Sequence, residues 1–137
     1  KKSENYTKSI EDNTILVTSD TIVVVENTIL GKPQNYEQAK EYLTLLSSKT
    51  HKVITGCCLR TKEKIKHFSQ KSIVKFKALT EDEINYYIEN FKPYDKAGAY
   101  GIQEWIGTIG IESIQGDYYN IVGFPCSKFF ESVQEIL

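Results

Sequence analysis

Apolar residues in this chain follow two patterns: short runs rich in β-branched residues, and stretches with helical spacing. The first run covers residues 15–19 and predicts a buried strand that ends at Asp20. A second run at residues 22–25 predicts another strand, which is followed by turn-forming residues. Further strands are predicted at residues 29–30, 51–59, 65–68, 72–79, 109–114 and 118–122.

Helical spacing of apolar residues predicts three helices. The first spans residues 35–47, with Asn35 as its N-cap. The second follows a capping box at residues 80–83 and stops at Pro93, and the third runs from Pro125 to the last residue. Strands and helices alternate, but several strands follow one another directly. The predicted fold class is therefore α/β, with a mixed twisted sheet flanked by helices.

Composition narrows the possible partners. The 137 residues are 40% hydrophobic with a formal net charge of −1, as expected for one globular domain. This balance argues against a nucleic-acid polymer as partner, and no apolar run approaches the roughly 18 residues of a membrane span. Cys57, Cys58 and Cys126 form no C-x-x-C pair. We interpret them as buried thiols of a reducing compartment, which favours a cytoplasmic location.

Residues 95–103 combine groups that suit a ligand. Asp95, Lys96 and Gln103 offer a carboxylate, an ammonium and an amide, and two glycines within the block allow close backbone approach. This set fits a substrate with a charged end and a hydrogen-bonding face. The alternative is a charged turn that enters a strand.

Two further residues are candidates for chemistry. Asp20, at the predicted end of an apolar strand, could hold a divalent cation or take a proton from water, or it could cap a turn. Lys32 lies between Gly31 and Pro33, and its ammonium suits a phosphate. The P-loop motif is absent, and a solvent-exposed turn lysine is the alternative.

Six short motifs occur in a particular order along the chain. They are Ser19-Asp20-Thr21, Leu30-Gly31-Lys32-Pro33, His51-Lys52-Val53-Ile54-Thr55-Gly56, the block 95–103, Gly116-Asp117-Tyr118 and Gly123-Phe124-Pro125. In this order they resemble the Maf family of nucleoside triphosphate pyrophosphatases, over the whole of residues 1–137.

The resemblance implies a single Maf-like domain with a fold similar to that of inosine triphosphate pyrophosphatases: a mixed sheet with helices on both sides and two lobes around a cleft. It implies hydrolysis of a nucleoside triphosphate between the α- and β-phosphates, giving a monophosphate and pyrophosphate. A divalent cation, usually Mg²⁺, is implied as the cofactor, and a homodimer as the common assembly.

The resemblance also assigns roles to residues. Asp20 matches the family's catalytic acidic residue, which is expected to activate water or hold the metal. Lys32 matches a phosphate-contacting lysine. Thr21 and Gln103 match two positions that sort the family by base, and this pair resembles the subfamily that acts on dTTP and UTP. A glutamine amide can pair with both the N–H and the carbonyl of a uracil edge.

The amino-terminal motif departs from the family pattern. Family members carry a Ser-x-Ser-Pro-Arg-Arg loop around the phosphates, and residues 1–137 contain neither this loop nor any Met. We therefore expect that the amino-terminal part of the domain is missing and that a sheet edge is uncovered. Lys2 is a candidate for a further phosphate lysine, with Lys1 as its competitor.

Two alternatives follow from this departure and from the base-reading positions. The chain could be a catalytically impaired Maf-like module that binds nucleotides or a partner protein. It could also be a pyrophosphatase of the same class with another base preference, including modified nucleotides such as methylated guanosine triphosphate.

Overall fold

The protein is described by a computed structural model that covers residues 1–6 and 8–137. Five strands form one sheet in the order β2-β1-β3-β4-β5. The strands are β1 Leu16–Val25, β2 Thr28–Leu30, β3 Thr50–Arg60, β4 Ile65–Phe76 and β5 Ile111–Gln115. The helices are α1 Tyr36–Leu46, α2 Glu81–Phe91, α3 Trp105–Gly110, α4 Tyr118–Val122 and α5 Cys126–Ile136, with a short 3-10 turn at Ala97–Ala99.

The predicted class, an α/β fold with a sheet flanked by helices, is confirmed. Within the described residues, however, the four strand pairings are antiparallel throughout rather than mixed. Short connections explain two of these pairings, β1 with β2 and β3 with β4. Glu26 and Asn27, both with positive φ, join β1 to β2, and a turn closed by the Thr61 N–H bond to the Lys64 carbonyl joins β3 to β4. Such turns connect antiparallel neighbours only.

Two predicted strand breaks do not occur. β1 runs continuously from Leu16 to Val25, so the prediction that a strand ends at Asp20 was wrong. Asp20 pairs with Gly56 of β3 and exposes its side chain, and the hydrogen-bonded ladder continues past it. β4 likewise joins the two strands predicted at residues 65–68 and 72–79 into one, because residues 69–71 also pair with β3.

Two segments predicted as strands contain helix. Residues 105–110 are α3, and only then does β5 begin. Residues 118–122 form α4 instead of a strand. Asp117 caps this helix by accepting the Tyr119 N–H at 2.9 Å, and the buried Asn120 amide donates to the Val53 carbonyl at 3.1 Å. These contacts outweigh the strand preference of the apolar residues in the segment.

The predicted helix starts are confirmed where side-chain caps mark them. Asn35 Oδ1 accepts the Gln38 N–H at 2.9 Å to start α1, and Thr80 Oγ1 accepts the Glu83 N–H at 3.1 Å to start α2. α5 begins at Cys126, one residue after the proline that was expected to open it. Among the helices of the described residues, none has the length and hydropathy needed to cross a bilayer.

One face of the sheet carries the core. Val23 of β1 lies opposite Val53 of β3, and both are buried in one core cluster that also contains residues of α1 and α2. β2 pairs only with residues 23–25 of β1, so no described strand covers residues 16–22 on that side. Of the cysteines, Cys57 is buried as predicted, whereas Cys58 is partly exposed and Cys126 is exposed, so the prediction of buried thiols was wrong for these two.

Candidate functional site

A cavity of about 290 Å³ lies between β1, the loop before α1, the segment 95–104 and the end of α4. All seven residues predicted for the site line this one cavity. They are Lys2, Asp20, Thr21, Lys32, Asp95, Lys96 and Gln103.

Gly98 brings two parts of the cavity wall together. It has a φ of 71°, and a Cβ at this position would lie 2.9 Å from Val23 Cγ2. The backbone can therefore lie directly on β1 only because the residue is glycine. The Gly98 N–H donates to the Gly31 carbonyl at 3.0 Å, which fixes the loop that carries Lys32 beside the segment that carries Lys96.

Asp20 lies at the exposed rim of the cavity. Its Oδ1 is 3.3 Å from Lys2 Nζ and accepts the Thr21 N–H at 3.2 Å. Lys2 Nζ also donates to the Ser19 carbonyl at 2.7 Å. Of the two amino-terminal lysines that the sequence left open, Lys2 is the one that reaches the cavity.

Thr21 occupies the opposite face of β1 from Asp20, because successive residues of a strand alternate. Its Oγ1 lies 2.9 Å from the Oγ1 of Thr55, which is fully buried on β3. This hydrogen bond holds the Thr21 hydroxyl at the inner wall of the cavity. Gln103 is exposed on the segment across the cavity.

Lys96 is held by two carboxylates. Its Nζ lies 3.0 Å from Asp95 Oδ1 and 3.4 Å from Glu104 Oε1. The hydrogen bond from Lys96 lowers the pKa of Asp95, and the charge of Lys32 adds to this effect. Burial alone would lower the pKa of Lys96, but the hydrogen bond and the two negative charges outweigh it and raise that pKa. Lys96 therefore stays cationic at the cavity wall.

Sequence reasoning missed two residues of this site. Glu104 lines the cavity directly after the predicted block and could have been included as its next polar residue. Tyr87 lies at helical spacing from the apolar residues Ile84, Ile88 and Phe91, and this spacing predicts a core residue. It is fully buried, but its hydroxyl reaches Gly101 and Glu104.

Charge around the cavity is balanced. Three lysines face three carboxylates: Lys2, Lys32 and Lys96 against Asp20, Asp95 and Glu104. Lys32 has no ion pair within 4 Å among the described residues, so it can take up an anion without losing a partner. Over the same part of the chain, no cluster of three His, Cys, Asp or Glu side chains could hold a metal ion by itself.

The fold and the cavity define an α/β protein with a cavity of mixed charge beside an antiparallel sheet. The Maf-like protein family matches residues 1–136, and the chain belongs to this family.

Several relatives carry the name dTTP/UTP pyrophosphatase. The one from Parabacteroides distasonis is 48% identical over 133 residues, which are 97% of this chain and 69% of the relative. The one from Christiangramia forsetii is 47% identical over 136 residues, or 99% of this chain and 69% of the relative. The one from Porphyromonas gingivalis is 44% identical over 136 residues, or 98% of this chain and 68% of the relative.

Proposed function

We propose that this protein is a nucleoside triphosphate pyrophosphatase that hydrolyses dTTP, UTP and related nucleotides to the monophosphate and pyrophosphate. The observation that carries the proposal is the meeting of Asp20, Lys32 and Gln103 at one cavity. They offer a carboxylate, a cation without an ion pair and an amide. The relatives named dTTP/UTP pyrophosphatase support the choice of substrate.

The chemistry of the lining residues suggests an orientation for the substrate. The triphosphate would lie toward Lys2 and Lys32, where ammonium groups offset its charge. The base would lie toward Gln103, whose amide both donates and accepts, with the Thr21 hydroxyl at the inner wall. Lys96, with its partner Asp95, would contact the nucleotide between its phosphates and its base.

We assign Asp20 the role of general base. Its carboxylate would take a proton from a water molecule as the water oxygen bonds to phosphorus and the bridging P–O bond breaks. Attack is on the α-phosphorus, so the electron pair of that bond leaves with pyrophosphate, and the nucleoside monophosphate is the other product. General base catalysis of this kind contributes about 10²–10⁴-fold.

The residues fit Mg²⁺ as a cofactor that arrives with the substrate. Mg²⁺ in proteins is commonly bound by one or two carboxylates together with substrate phosphates and water. Asp20 supplies one exposed carboxylate, which matches this mode, and the described residues hold no three-ligand cluster that would retain a metal alone. When bound, Mg²⁺ would neutralise charge on the phosphates.

The test is pyrophosphate release from UTP and dTTP in the presence of Mg²⁺. The Asp20→Asn variant should lose about 10²–10⁴-fold in rate, because an amide cannot accept the proton. Asp12→Asn is the matched control, since Asp12 is exposed, pairs with Lys62 and lies outside the cavity. An Asp20→Asn variant as active as wild type would contradict the assigned role.

A catalytically impaired nucleotide-binding module is the second candidate. The observation that favours it is that the cavity's cations are all lysines. The single arginine of the sequence, Arg60, instead donates to the Ser3 carbonyl at 2.9 Å. Arginine gives the bidentate phosphate contacts that lysine cannot. Tight UTP binding without pyrophosphate release would support this candidate over the enzyme.

The family resemblance extends the proposal to a homodimer that acts in the cytoplasm. Sedimentation of the purified protein and fractionation of the source cells would test these two points separately from the chemistry.

A further inference from the structure

The turn that presents Gln103 is held at both ends by one buried hydroxyl group. The Glu104 N–H donates to the Gly101 carbonyl at 3.0 Å, so residues 101–104 form a turn with Gln103 as its third residue. Tyr87 Oη accepts the Gly101 N–H at 3.0 Å and donates to Glu104 Oε1 at 3.1 Å. Both ends of the turn are thereby tied to the same atom.

The core fixes the position of this hydroxyl. Tyr87 is fully buried on α2, and its ring stacks on Phe91 with 5.2 Å between ring centroids. Burial also raises the pKa of Tyr87, so the hydroxyl keeps its proton and remains a donor to Glu104. The hydroxyl donates one hydrogen bond and accepts another, so its hydrogen-bonding capacity is satisfied within the protein.

The same contacts reach the cavity wall. Glu104 Oε1 accepts from Tyr87 and also lies 3.4 Å from Lys96 Nζ. A Cβ at Gly101 would lie 2.5 Å from Glu104 Oε1 and 2.8 Å from Lys96 Cε. The two side chains therefore fold over the turn in space that a Cβ at Gly101 would occupy.

We propose that Tyr87 is a positioning residue for base selectivity, because its hydroxyl fixes the turn that carries the Gln103 amide. The inference rests on the proposed function, in which that amide reads the base. Removing the hydroxyl leaves the Gly101 N–H unpaired and removes the contact to Glu104, so both ends of the turn lose their anchor. Binding and discrimination of the base then weaken, while Asp20, which contacts Lys2 and Thr21 rather than the turn, is unaffected.

The experiment compares Tyr87→Phe with Tyr86→Phe in the full chain. Tyr86 is the adjacent tyrosine on α2 and is 49% exposed. For Tyr87→Phe, the ratio of kcat/KM for UTP to that for CTP should fall about fivefold, mainly through KM for UTP, which is the effect of one hydrogen bond lost between the Gln103 amide and the base. For Tyr86→Phe, the ratio should stay within about twofold of wild type. An unchanged ratio in Tyr87→Phe, or an equal fall in Tyr86→Phe, would overturn the inference.

A second measurement does not depend on hydrolysis. Amide hydrogen exchange at Gly101 should be about tenfold faster in Tyr87→Phe than in wild type and unchanged in Tyr86→Phe. Wild-type protein that releases no pyrophosphate would refute the proposed function alone, whereas unchanged exchange at Gly101 would refute the positioning role. If Tyr87→Phe does not fold, Glu104→Ala removes the other partner of the hydroxyl. It should lower the UTP-to-CTP ratio in the same direction, and an unchanged ratio there rejects the inference.

Discussion

At the scale of single residues, the cavity depends on a glycine as well as on the charged and polar side chains that line it. Gly98 lets the segment 95–103 lie on β1, because its hydrogen occupies the space where a Cβ would meet Val23. Its positive φ of 71° is a second reason for glycine. Both features bring Lys32 and Lys96 to the same cavity.

Gly98→Ala should therefore destabilise the protein by about 1–3 kcal/mol, because it combines backbone strain with a clash in the core. Gly31→Ala is the control for stability, since a Cβ there meets nothing within 4 Å and φ is not in the left-handed region. Urea unfolding monitored by circular dichroism measures both. Equal stability of the two variants would show that the close approach at Gly98 is not required.

His51 is a buried base beside the cavity. It is 1% exposed, its Nε2 lies 2.7 Å from Tyr100 Oη, and its Nδ1 has no hydrogen-bond partner within the described residues. Burial lowers the pKa of His51 to about 4. In the unfolded chain the pKa returns to about 6.5, so between these values the unfolded state binds the extra proton.

Titration of His51 should therefore leave the free energy of unfolding unchanged above about pH 6.5. Below that pH, it should lower the free energy of unfolding, by roughly 3 kcal/mol at pH 4. His51→Gln cannot titrate in this range, so the difference in unfolding free energy between wild type and variant should narrow by that amount. Urea titrations at several pH values measure it. The exposed His67→Gln provides the comparison and should track wild type. Parallel curves for wild type and His51→Gln would contradict the prediction.

At the scale of elements, the sequence predicted correctly those helix starts that are set by contacts between neighbouring residues. α1 and α2 begin where Asn35 and Thr80 cap them, because the capped N–H groups lie only three residues further on. The continuation of β1 through Asp20 depends instead on pairing with Gly56, far along the chain. α4 depends on Asn120, whose bonds go to β3 and β4.

The residues of the site likewise fall into those that local sequence predicts and those that only the fold brings together. The block 95–103 and its match to a family were visible in the sequence because the functional groups are adjacent. Tyr87 was not, since its spacing on α2 is that of a core residue and only the fold shows that its hydroxyl meets Gly101. Helical periodicity reports the burial of a side chain but not the hydrogen bonds of its polar end.

The cap of α2 supports a prediction at this scale. Thr80 accepts the Glu83 N–H and donates to Glu83 Oε1, so Thr80→Ala should cost about 1 kcal/mol. Thr44→Ala is the matched control, because Thr44 is exposed within α1 and alanine is the better helix former there. Urea unfolding should show a loss for the first variant and none for the second. The opposite order would refute the capping role.

At the scale of the whole molecule, the cavity balances three lysines against three carboxylates. A triphosphate therefore meets no net positive field from these groups and gains from a divalent cation that neutralises part of its charge. UTP hydrolysis should be lost when EDTA removes Mg²⁺ and should return when Mg²⁺ is added in excess. The assay is pyrophosphate release, and full activity in EDTA would contradict the metal's proposed role.

The central claim is that one cavity receives both ends of a nucleoside triphosphate. A crystal structure with Mg²⁺ and a UTP analogue that resists cleavage between the α- and β-phosphates tests it most directly. We predict phosphate oxygens within about 3 Å of Lys32 Nζ and Asp20 near the metal, with the uracil edge on the Gln103 amide. A nucleotide bound away from this cavity, or bound with its base at Lys32 and its phosphates at Gln103, would contradict the account.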